Sequence, residues 1–308
     1  MKRFTTEDIY QIYLYLKKEL NSKKSASIEV LNPAFVKPHY SGEFVNLDTL
    51  EYRYRNYRVW SDLAQKLFCR ISEIKELSKH TILIVFEKLD DKDSFHKTEN
   101  NQEKYGSSSI FNRIDKNEEP EILLSYLEAL NSVDLKKRKR VLNLGVNSAD
   151  EFKIIKKYFE TFCQIEFVGI DYCVSAINEA KKYFIEDKNC TFYAQDINSL
   201  DELNLGEFDL IISIGTLQSS NLEFNTLFMH IVQNYLKKDG AMILGFPNCR
   251  WIDGEIVYGA RVPNYNYSEL STLFKDAVFC KKYLQQKKFR VTLTGKYYIF
   301  LTATSIKK

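Results

Sequence analysis

Short apolar runs and amphipathic stretches alternate along the chain from residue 140 to its end. A run of roughly four to eight apolar residues is typical of a buried strand, whereas apolar residues three or four positions apart are typical of a helix. The pattern predicts strands over 141–144, 165–170, 190–195, 207–216 and 241–246, with helices from 148, over 175–184 and over 224–236. This alternation predicts a doubly wound, mostly parallel α/β sheet.

The first part of the chain has a different pattern. It predicts an amphipathic helix over 4–20, a second helix in the latter half of 51–67 and a buried strand over 81–86. The polar stretch over 90–119 is typical of a linker or loop. We therefore expect a smaller α+β accessory or substrate-shaping domain over 1–115, followed by the main domain over 116–308.

Polar residues that could bind a ligand follow the ends of the predicted strands. The strand over 141–144 runs into Gly145, and Ser148 with Glu151 has the spacing of a capping box at the start of the next helix. The free amides of such a helix start can face an anionic or nucleotide ligand. Asp171 follows the next strand, about 25 residues after Gly145, where a carboxylate can accept hydrogen bonds from ribose hydroxyls. The spacing indicates a nucleotide-cofactor cradle.

Five segments together resemble one known family, the class I S-adenosylmethionine-dependent methyltransferases. They are Leu142–Gly145, Val168–Asp171, Ala194–Ile197, Phe208–Ser213 and Leu236–Gly240. The alternating pattern around Gly295 is similar to the hairpin with a reversed last strand that closes the sheet in this family. The resemblance runs from about residue 138 to 308. It implies a seven-stranded Rossmann-like sheet with a C-terminal antiparallel hairpin, and methyl transfer from S-adenosyl-L-methionine.

The resemblance also implies a set of cofactor-binding residues. Asp171 would hold the ribose and Asp196 the adenine amino group. The full set is Asn143, Gly145, Asn147, Asp171, Tyr172, Asp196, Ile197, Ser213 and Leu217. The chain departs from the family at Asn143, where an acid is usual, and at Asn147 and Ala149, where glycine is usual. Asn tolerates the left-handed conformation that glycine serves, and Ala149 is small enough for close helix packing.

The reaction needs little from the protein beyond alignment and exclusion of water, because the methyl group is already activated. If the acceptor carries a proton, a base is needed, and the weak candidates are Asp253, Glu255 and Tyr258 after the fifth strand. We expect a small-molecule acceptor. Two alternatives stay open: an RNA methyltransferase that uses the basic segment Tyr52–Arg58, and a non-catalytic scaffold, which the altered loop favours and the acids at 171 and 196 oppose.

Composition narrows the class of protein. The 308 residues are 44% hydrophobic and 28% charged, with a net charge of +3 and a pI near 8.3, which permits nucleic-acid contact without arguing for it. Tyrosine and arginine alternate over Tyr52–Arg58, which fits a half-buried structural segment as well as a surface on which nucleic-acid bases stack. We favour the structural interpretation. Six scattered cysteines without a Cys-x-x-Cys pair predict reduced thiols and a cytoplasmic protein. We expect no metal site and no membrane span, and the oligomeric state stays open.

Overall fold

The structure is a computed structural model. The part of the chain that it describes consists of two units. The described residues are 1–35, 39–47, 49–90, 113–219, 222–259 and 270–306. The N-terminal unit comprises residues 1–93 together with 251–257, and the C-terminal unit comprises 94–250 and 258–308. The sequence predicts a boundary near residue 115 and does not predict that 251–257 fold with the first unit. The accessory role of the first unit stays a prediction.

A seven-stranded sheet forms the centre of the C-terminal unit. Its strands are β7 (Arg140–Leu144), β8 (Glu166–Asp171), β9 (Cys190–Ala194), β10 (Phe208–Ile214), β11 (Leu236–Pro247), β14 (Phe289–Thr294) and β15 (Tyr298–Ser305). Their order across the sheet is β14-β15-β11-β10-β7-β8-β9. β9, β8, β7, β10 and β11 run parallel, and β15 is antiparallel to both β11 and β14. The predicted fold class and its closing hairpin are confirmed.

Helices connect and cover these strands. They are α3 (Pro120–Ser132), α4 (Asp150–Tyr158), α5 (Val174–Tyr183), α6 (Phe224–Asn234) and α7 (Leu270–Gln286). The central strands are apolar on both faces because helices cover them, so that Leu142, Ile211 and Met242 have no exposed area. The carboxyl ends of the five parallel strands meet at one edge of the sheet, which is where α/β sheets bind ligands.

One predicted boundary in this sheet is wrong. The strand predicted over 241–246 begins earlier, at Leu236, so that the turn-forming residues Lys238–Gly240 lie inside β11. Phe208 pairs with Leu236 and Leu210 pairs with Ala241, so the residues between Leu236 and Ala241 bulge out of the ladder. Turn-forming residues therefore mark a bulge here and do not mark the start of the strand.

The N-terminal unit has its own sheet and core. Its strands are β1 (Lys2–Arg3), β2 (Ser25–Leu31), β5 (Cys69–Glu76) and β6 (Thr81–Lys88), in the order β1-β2-β6-β5. A separate hairpin joins β3 (Phe44–Leu47) to β4 (Leu50–Arg53). The helices are α1 (Ile9–Ser22) and α2 (Tyr57–Lys66). Trp60, Leu16 and Phe86 are among the buried residues that form the core.

The first helix begins later than the sequence pattern predicts. Asp8 caps it by accepting a hydrogen bond from the Gln11 amide at 2.8 Å, and the Gln11 side chain accepts one from the Asp8 amide at 2.9 Å. This capping box fixes the start at Ile9 and leaves Phe4 to enter the core from an extended segment. No helix in the described ranges is long and apolar enough to cross a membrane. A further two-stranded sheet consists of β12 (Cys249–Ile252) and β13 (Glu255–Tyr258).

Candidate active site

The loop after β7 adopts an unusual backbone conformation. Gly145, Asn147 and Ala149 all have positive φ, at 77°, 47° and 66°. The amides of Gly145 and Val146 both donate to the Ile170 carbonyl, at 2.8 and 3.0 Å, which binds the loop to the end of β8. The sequence indicates that Asn147 tolerates this conformation. It presents Ala149 only as a small residue, whereas the structure also requires a left-handed backbone there.

The predicted capping box at this helix is wrong. α4 begins at Asp150, its N-cap residue is Ala149, and no side chain caps it. Ser148 lies one residue too early, because the left-handed turn at Ala149 postpones the helix start, and its hydroxyl reaches Asp150 Oδ1 at 3.3 Å. Glu151 instead accepts a hydrogen bond from Asn143 Nδ2 at 3.3 Å.

Asp171 joins two loops at the end of β8. Its carboxylate accepts hydrogen bonds from the Asn147 and Cys173 amides, both at 2.9 Å, and its residue is 7% exposed. Burial raises the pKa of this carboxyl, and the backbone hydrogen bonds oppose the shift. The backbone of Tyr172 is a third hydrogen-bond partner of this carboxylate. A carboxylate has about four acceptor positions, so these amides leave room for a hydroxyl group of a ligand.

Three of the other predicted residues have buried side chains. Ser213 is 2% exposed, and its hydroxyl donates to the Leu144 carbonyl at 3.1 Å. Ile197 and Leu217 belong to the hydrophobic core of this unit. These side chains stabilise the carboxyl edge of the sheet by packing.

Two further predicted residues lie on the surface near the ends of β8 and β9. Tyr172 follows Asp171 and is 44% exposed, so its ring is accessible beside the buried carboxylate. Asp196 is exposed and caps a 3-10 helix by accepting a hydrogen bond from the Asn198 amide at 2.9 Å. The cap uses one acceptor position of the Asp196 carboxylate and leaves the rest accessible.

The space beside Gly145 is occupied by a neighbouring side chain. A Cβ atom at Gly145 would collide with the Thr216 side chain, which follows β10. Thr216 Oγ1 itself lies 3.4 Å from the Ile214 carbonyl. Glycine at 145 therefore permits close packing of the loops after β7 and β10.

A polar cluster that the sequence analysis misses lies beside Asn143. Glu151 of α4, Lys116, Tyr126 of α3 and Tyr298 of β15 line one cavity. Burial raises the pKa of Glu151 to about 7, even though the Lys116 ammonium opposes the shift. The signal in the sequence is weak, because Lys116 lies in the polar stretch that predicts a linker and Glu151 has the spacing of a capping residue.

The candidate bases are divided between the two units. Asp253 and Glu255 fold with the N-terminal unit, where Asp253 forms an ion pair with Arg70. The hydrogen bond from the Asp90 amide, together with Arg70, lowers the pKa of Asp253, which makes it a weak base. Glu255 is exposed.

Tyr258 belongs to the C-terminal unit and is 47% exposed, with its ring centre 6.3 Å from that of Tyr297. Arg261, Tyr265 and Tyr267, which follow Tyr258 in the same polar segment, lie outside the described residues. The roles of the three candidate bases stay predictions. Among the residues that the structure describes, no three His, Cys, Asp or Glu side chains are grouped to hold a metal ion.

Comparisons with known proteins point to one family. A family model described as "Methyltransferase domain" matches residues 135–291, just over half of the 308-residue chain. The matched range extends from the segment before β7 into β14. No curated protein sequence matches the chain significantly.

Solved structures with partial similarity include several methyltransferases. A precorrin-6y C5,15-methyltransferase from Geobacter metallireducens GS-15 is 12% identical with a TM-score of 0.40, covering 58% of this chain and 87% of that one. The N-terminal domain of EvdMO1 with SAH (S-adenosylhomocysteine) bound is 14% identical with a TM-score of 0.40, covering 58% and 80%. A ribosomal protein L11 methylase from Lactobacillus delbrueckii subsp. bulgaricus is 12% identical with a TM-score of 0.38, covering 58% and 76%. The family assignment rests on the sequence match.

Proposed function

The chain belongs to the class I S-adenosylmethionine-dependent methyltransferases, and we propose that it methylates a small-molecule acceptor. The cofactor supplies a methyl group on a positively charged sulfur, which is already an activated leaving group. The protein therefore has to bind the cofactor and the acceptor, orient them and exclude water from the site. The observation that carries the proposal is the buried Asp171 carboxylate at the end of β8, which ties the Asn147 loop to the next turn and has acceptor positions to spare.

The described residues fit the nucleoside part of such a cofactor. In our proposal Asp171 accepts the ribose hydroxyls, Tyr172 covers them, and Asp196 accepts the adenine amino group. Gly145 and Asn147 shape the loop through their left-handed backbone. Asn143, Ile197, Ser213 and Leu217 have buried side chains and support the site from beneath.

The first basic segment that could contact RNA is Tyr52–Arg58, and three of its residues are buried in the fold. Tyr52 and Tyr54 are 4% and 6% exposed, so their rings cannot stack on bases. Arg55 is 5% exposed and donates to the Glu7 carbonyl at 2.5 Å. Burial lowers the pKa of Arg55 to about 10. These contacts support the structural interpretation of this segment.

In the second basic segment, residues 136–140, both arginines are held by internal partners. Arg138 donates to the carbonyls of Val133 and Asp239, at 2.9 and 3.2 Å. Arg140 forms an ion pair with Glu166 at 2.8 Å. Guanidinium groups that are held by internal partners are poorly placed for phosphate contacts. Together with the net charge of +3, this supports a small-molecule acceptor over RNA.

Calorimetric titration of the full chain with S-adenosylhomocysteine tests the cofactor. We expect saturable binding, which the Asp171→Asn variant weakens. Absence of binding by a folded protein would contradict the proposed function and leave the scaffold alternative.

The acceptor class requires a transfer assay. The full chain is incubated with methyl-labelled S-adenosylmethionine and a cell extract, and the products are separated into small molecules, RNA and protein. We expect label in the small-molecule fraction. Label in RNA, with RNA binding that falls steeply as salt increases, would overturn the proposal in favour of an RNA methyltransferase. Label in protein would overturn the small-molecule acceptor as well.

A further inference from the structure

One edge of the seven-stranded sheet is open. β14 pairs with β15 over its whole length without a bulge, and among the described residues no other strand pairs with it. An open edge presents unpaired amides and carbonyls to other chains, and proteins usually protect such an edge with charged residues, proline or a bulge. In β14 (Phe289–Thr294) the one charged residue is Arg290, and the strand has no proline.

An edge strand of the N-terminal unit carries this protection. β5 is the last strand of its sheet, and its register with β6 shifts between Ile71 and Glu73. Half of the residues of β5 are charged, namely Arg70, Glu73, Lys75 and Glu76. The contrast with β5 indicates that the edge at β14 is available for pairing.

Alternate residues of β14 direct their backbone groups away from the sheet. The Ile306 amide donates to the Lys288 carbonyl at 2.9 Å, and this pair continues the register of β14 with β15. In an antiparallel ladder, hydrogen-bonded and non-hydrogen-bonded pairs alternate. The even-numbered residues of β14 therefore bond to β15. The amides and carbonyls that point outward are those of Phe289, Val291 and Leu293.

The orientation of α7 follows from its neighbours. Ala277 and Cys280 are buried in the hydrophobic core and face the sheet. The ring centres of Phe279 and Tyr283 lie 6.0 and 5.8 Å from that of Phe228 in α6, so this side of α7 faces α6. α6 packs on β11, whereas α7 packs mainly on β14. The side of α7 opposite to α6 therefore faces the open edge.

Exposed apolar side chains lie on this side of α7 and on β14. Phe274 and Val278 are about one turn apart in α7 and, at 3.6 residues per turn, lie on the side away from Phe279 and Tyr283. They are 54% and 41% exposed, and Leu293 of β14 is 38% exposed. Apolar side chains that adjoin an open strand edge are typical of an interface with another chain.

We propose that β14 pairs with β14 of a second copy of this chain, antiparallel about a twofold axis at Val291. Val291 then lies opposite the partner's Val291, and Phe289 lies opposite the partner's Leu293. All three outward residues of each copy form hydrogen-bonded pairs, and each pair exchanges two hydrogen bonds. The two seven-stranded sheets become one continuous sheet, with α7 of both copies on the same face.

The strand is self-complementary in this register. Arg290 lies opposite the partner's Thr292, so no like charges meet. A register shifted by two residues would lose one hydrogen-bonded pair and place Arg290 opposite the partner's Arg290. Phe274 and Val278 of both copies face the twofold axis and cover the junction between the sheets. A second copy therefore satisfies the open edge and the exposed apolar side chains together, as an isologous interface does.

Sedimentation equilibrium of the full chain over a range of concentrations tests the interface. We expect a dimer of twice 36.2 kDa that dissociates on dilution. Leu293→Lys and Val278→Lys each place a charge in the interface and should weaken dimerisation by about tenfold or more. Thr191→Lys is the matched control, because Thr191 is an exposed residue of β9, the strand at the opposite edge of the same sheet. It should leave the dissociation constant unchanged.

Disulfide trapping tests the register. Arg290→Cys and Thr292→Cys are prepared separately, each combined with Cys163→Ser because Cys163 is exposed. Residues opposite each other in a non-hydrogen-bonded pair have Cα atoms about 4.5 Å apart, which a disulfide can bridge, whereas diagonal neighbours are about 7–8 Å apart. We expect a cross-linked dimer when the two variants are mixed and oxidised, and little cross-linking of either variant alone.

Three results would overturn the proposal. One is a wild-type chain that stays monomeric at every concentration up to its solubility limit. Another is a dimer that Leu293→Lys does not weaken or that Thr191→Lys dissociates, which places the interface elsewhere. The third is cross-linking of Thr292→Cys alone but not of the mixture. Thermal unfolding verifies that each variant retains its fold, and the substituted residues of β14 are exposed.

Discussion

At the scale of single residues, the chain places ordinary residues where glycine is expected. It has 11 glycines in 308 residues, about half of the average share of roughly 7%. Within the described ranges, non-glycine residues with positive φ include Asn147 and Ala149 at the site, and also Phe68 and Lys288 far from it in sequence. The altered cofactor loop is therefore one case of a general scarcity of glycine. It does not by itself indicate a lost function.

Lys288 permits a clean test of this interpretation. It follows α7 with φ 68°, its side chain is exposed, and its amide donates to the Gln285 carbonyl. We expect Lys288→Gly to stabilise the protein by about 0.5–1 kcal/mol, because glycine adopts this conformation without steric cost. The neighbouring exposed Lys287 is the matched control, since Lys287→Gly should be neutral or destabilising. Denaturant unfolding measures both, and an equal effect of the two variants would contradict the argument.

Asp171 has a structural role in addition to its proposed contact with the cofactor. Its removal leaves the Asn147 and Cys173 amides without an acceptor. We expect Asp171→Ala to lower the free energy of unfolding by about 1–3 kcal/mol and to weaken S-adenosylhomocysteine binding by about 2–4 kcal/mol. Asp171→Asn retains an acceptor and should recover much of the stability but not the affinity. Normal affinity in a folded Asp171→Asn variant would contradict the ribose assignment.

At the scale of elements, the loops after β7 and β10 are fitted to each other. Thr216 fills the space beside Gly145, and Gly145 has φ 77°. We expect Gly145→Ala to lower the free energy of unfolding by about 1–3 kcal/mol through overpacking, with a further cost of about 1 kcal/mol from the backbone conformation. In the double variant, Thr216→Gly should remove the destabilisation that comes from overpacking. A double-mutant cycle by denaturant unfolding measures this coupling.

Gly206 provides the control for the cost of the left-handed backbone conformation. It has φ 71°, and the one atom near its missing Cβ is the Arg140 side chain at 3.8 Å. Gly206→Ala should therefore show the conformational cost without overpacking. If Gly145→Ala is no more costly than Gly206→Ala, or if Thr216→Gly fails to rescue it, the two loops are not packed as described.

Elements with a strong local pattern could be predicted from the sequence, and those fixed by distant contacts could not. The strands and the closing hairpin follow from their own apolar runs. The start of α4 does not, because the left-handed turn at Ala149 depends on loop hydrogen bonds to Ile170 and Asp171. The Glu151 cavity could not be predicted either, because its partners Lys116 and Tyr298 come from segments far apart in the sequence.

At the scale of the whole molecule, stability depends on pH through one buried carboxyl group, that of Glu151. The pKa of Glu151 in the folded protein is about 7, raised by burial, whereas an unfolded glutamate has a pKa of about 4.3. The folded state therefore holds the proton more tightly than the unfolded state. The stability that protonated Glu151 contributes is fully present below about pH 4.3 and is lost as the pH rises through about 7.

Glu151→Gln should remove this dependence, because an amide cannot ionise. We expect the free energy of unfolding of wild type, relative to Glu151→Gln, to fall between pH 5 and pH 8, with the variant the more stable at the upper end. Denaturant unfolding at several pH values measures the difference in the free energy of unfolding between wild type and the variant. Groups such as Asp171 titrate in both proteins, so their contributions cancel in this difference. A difference that does not vary with pH would show that Glu151 is ionised in the folded protein throughout this range.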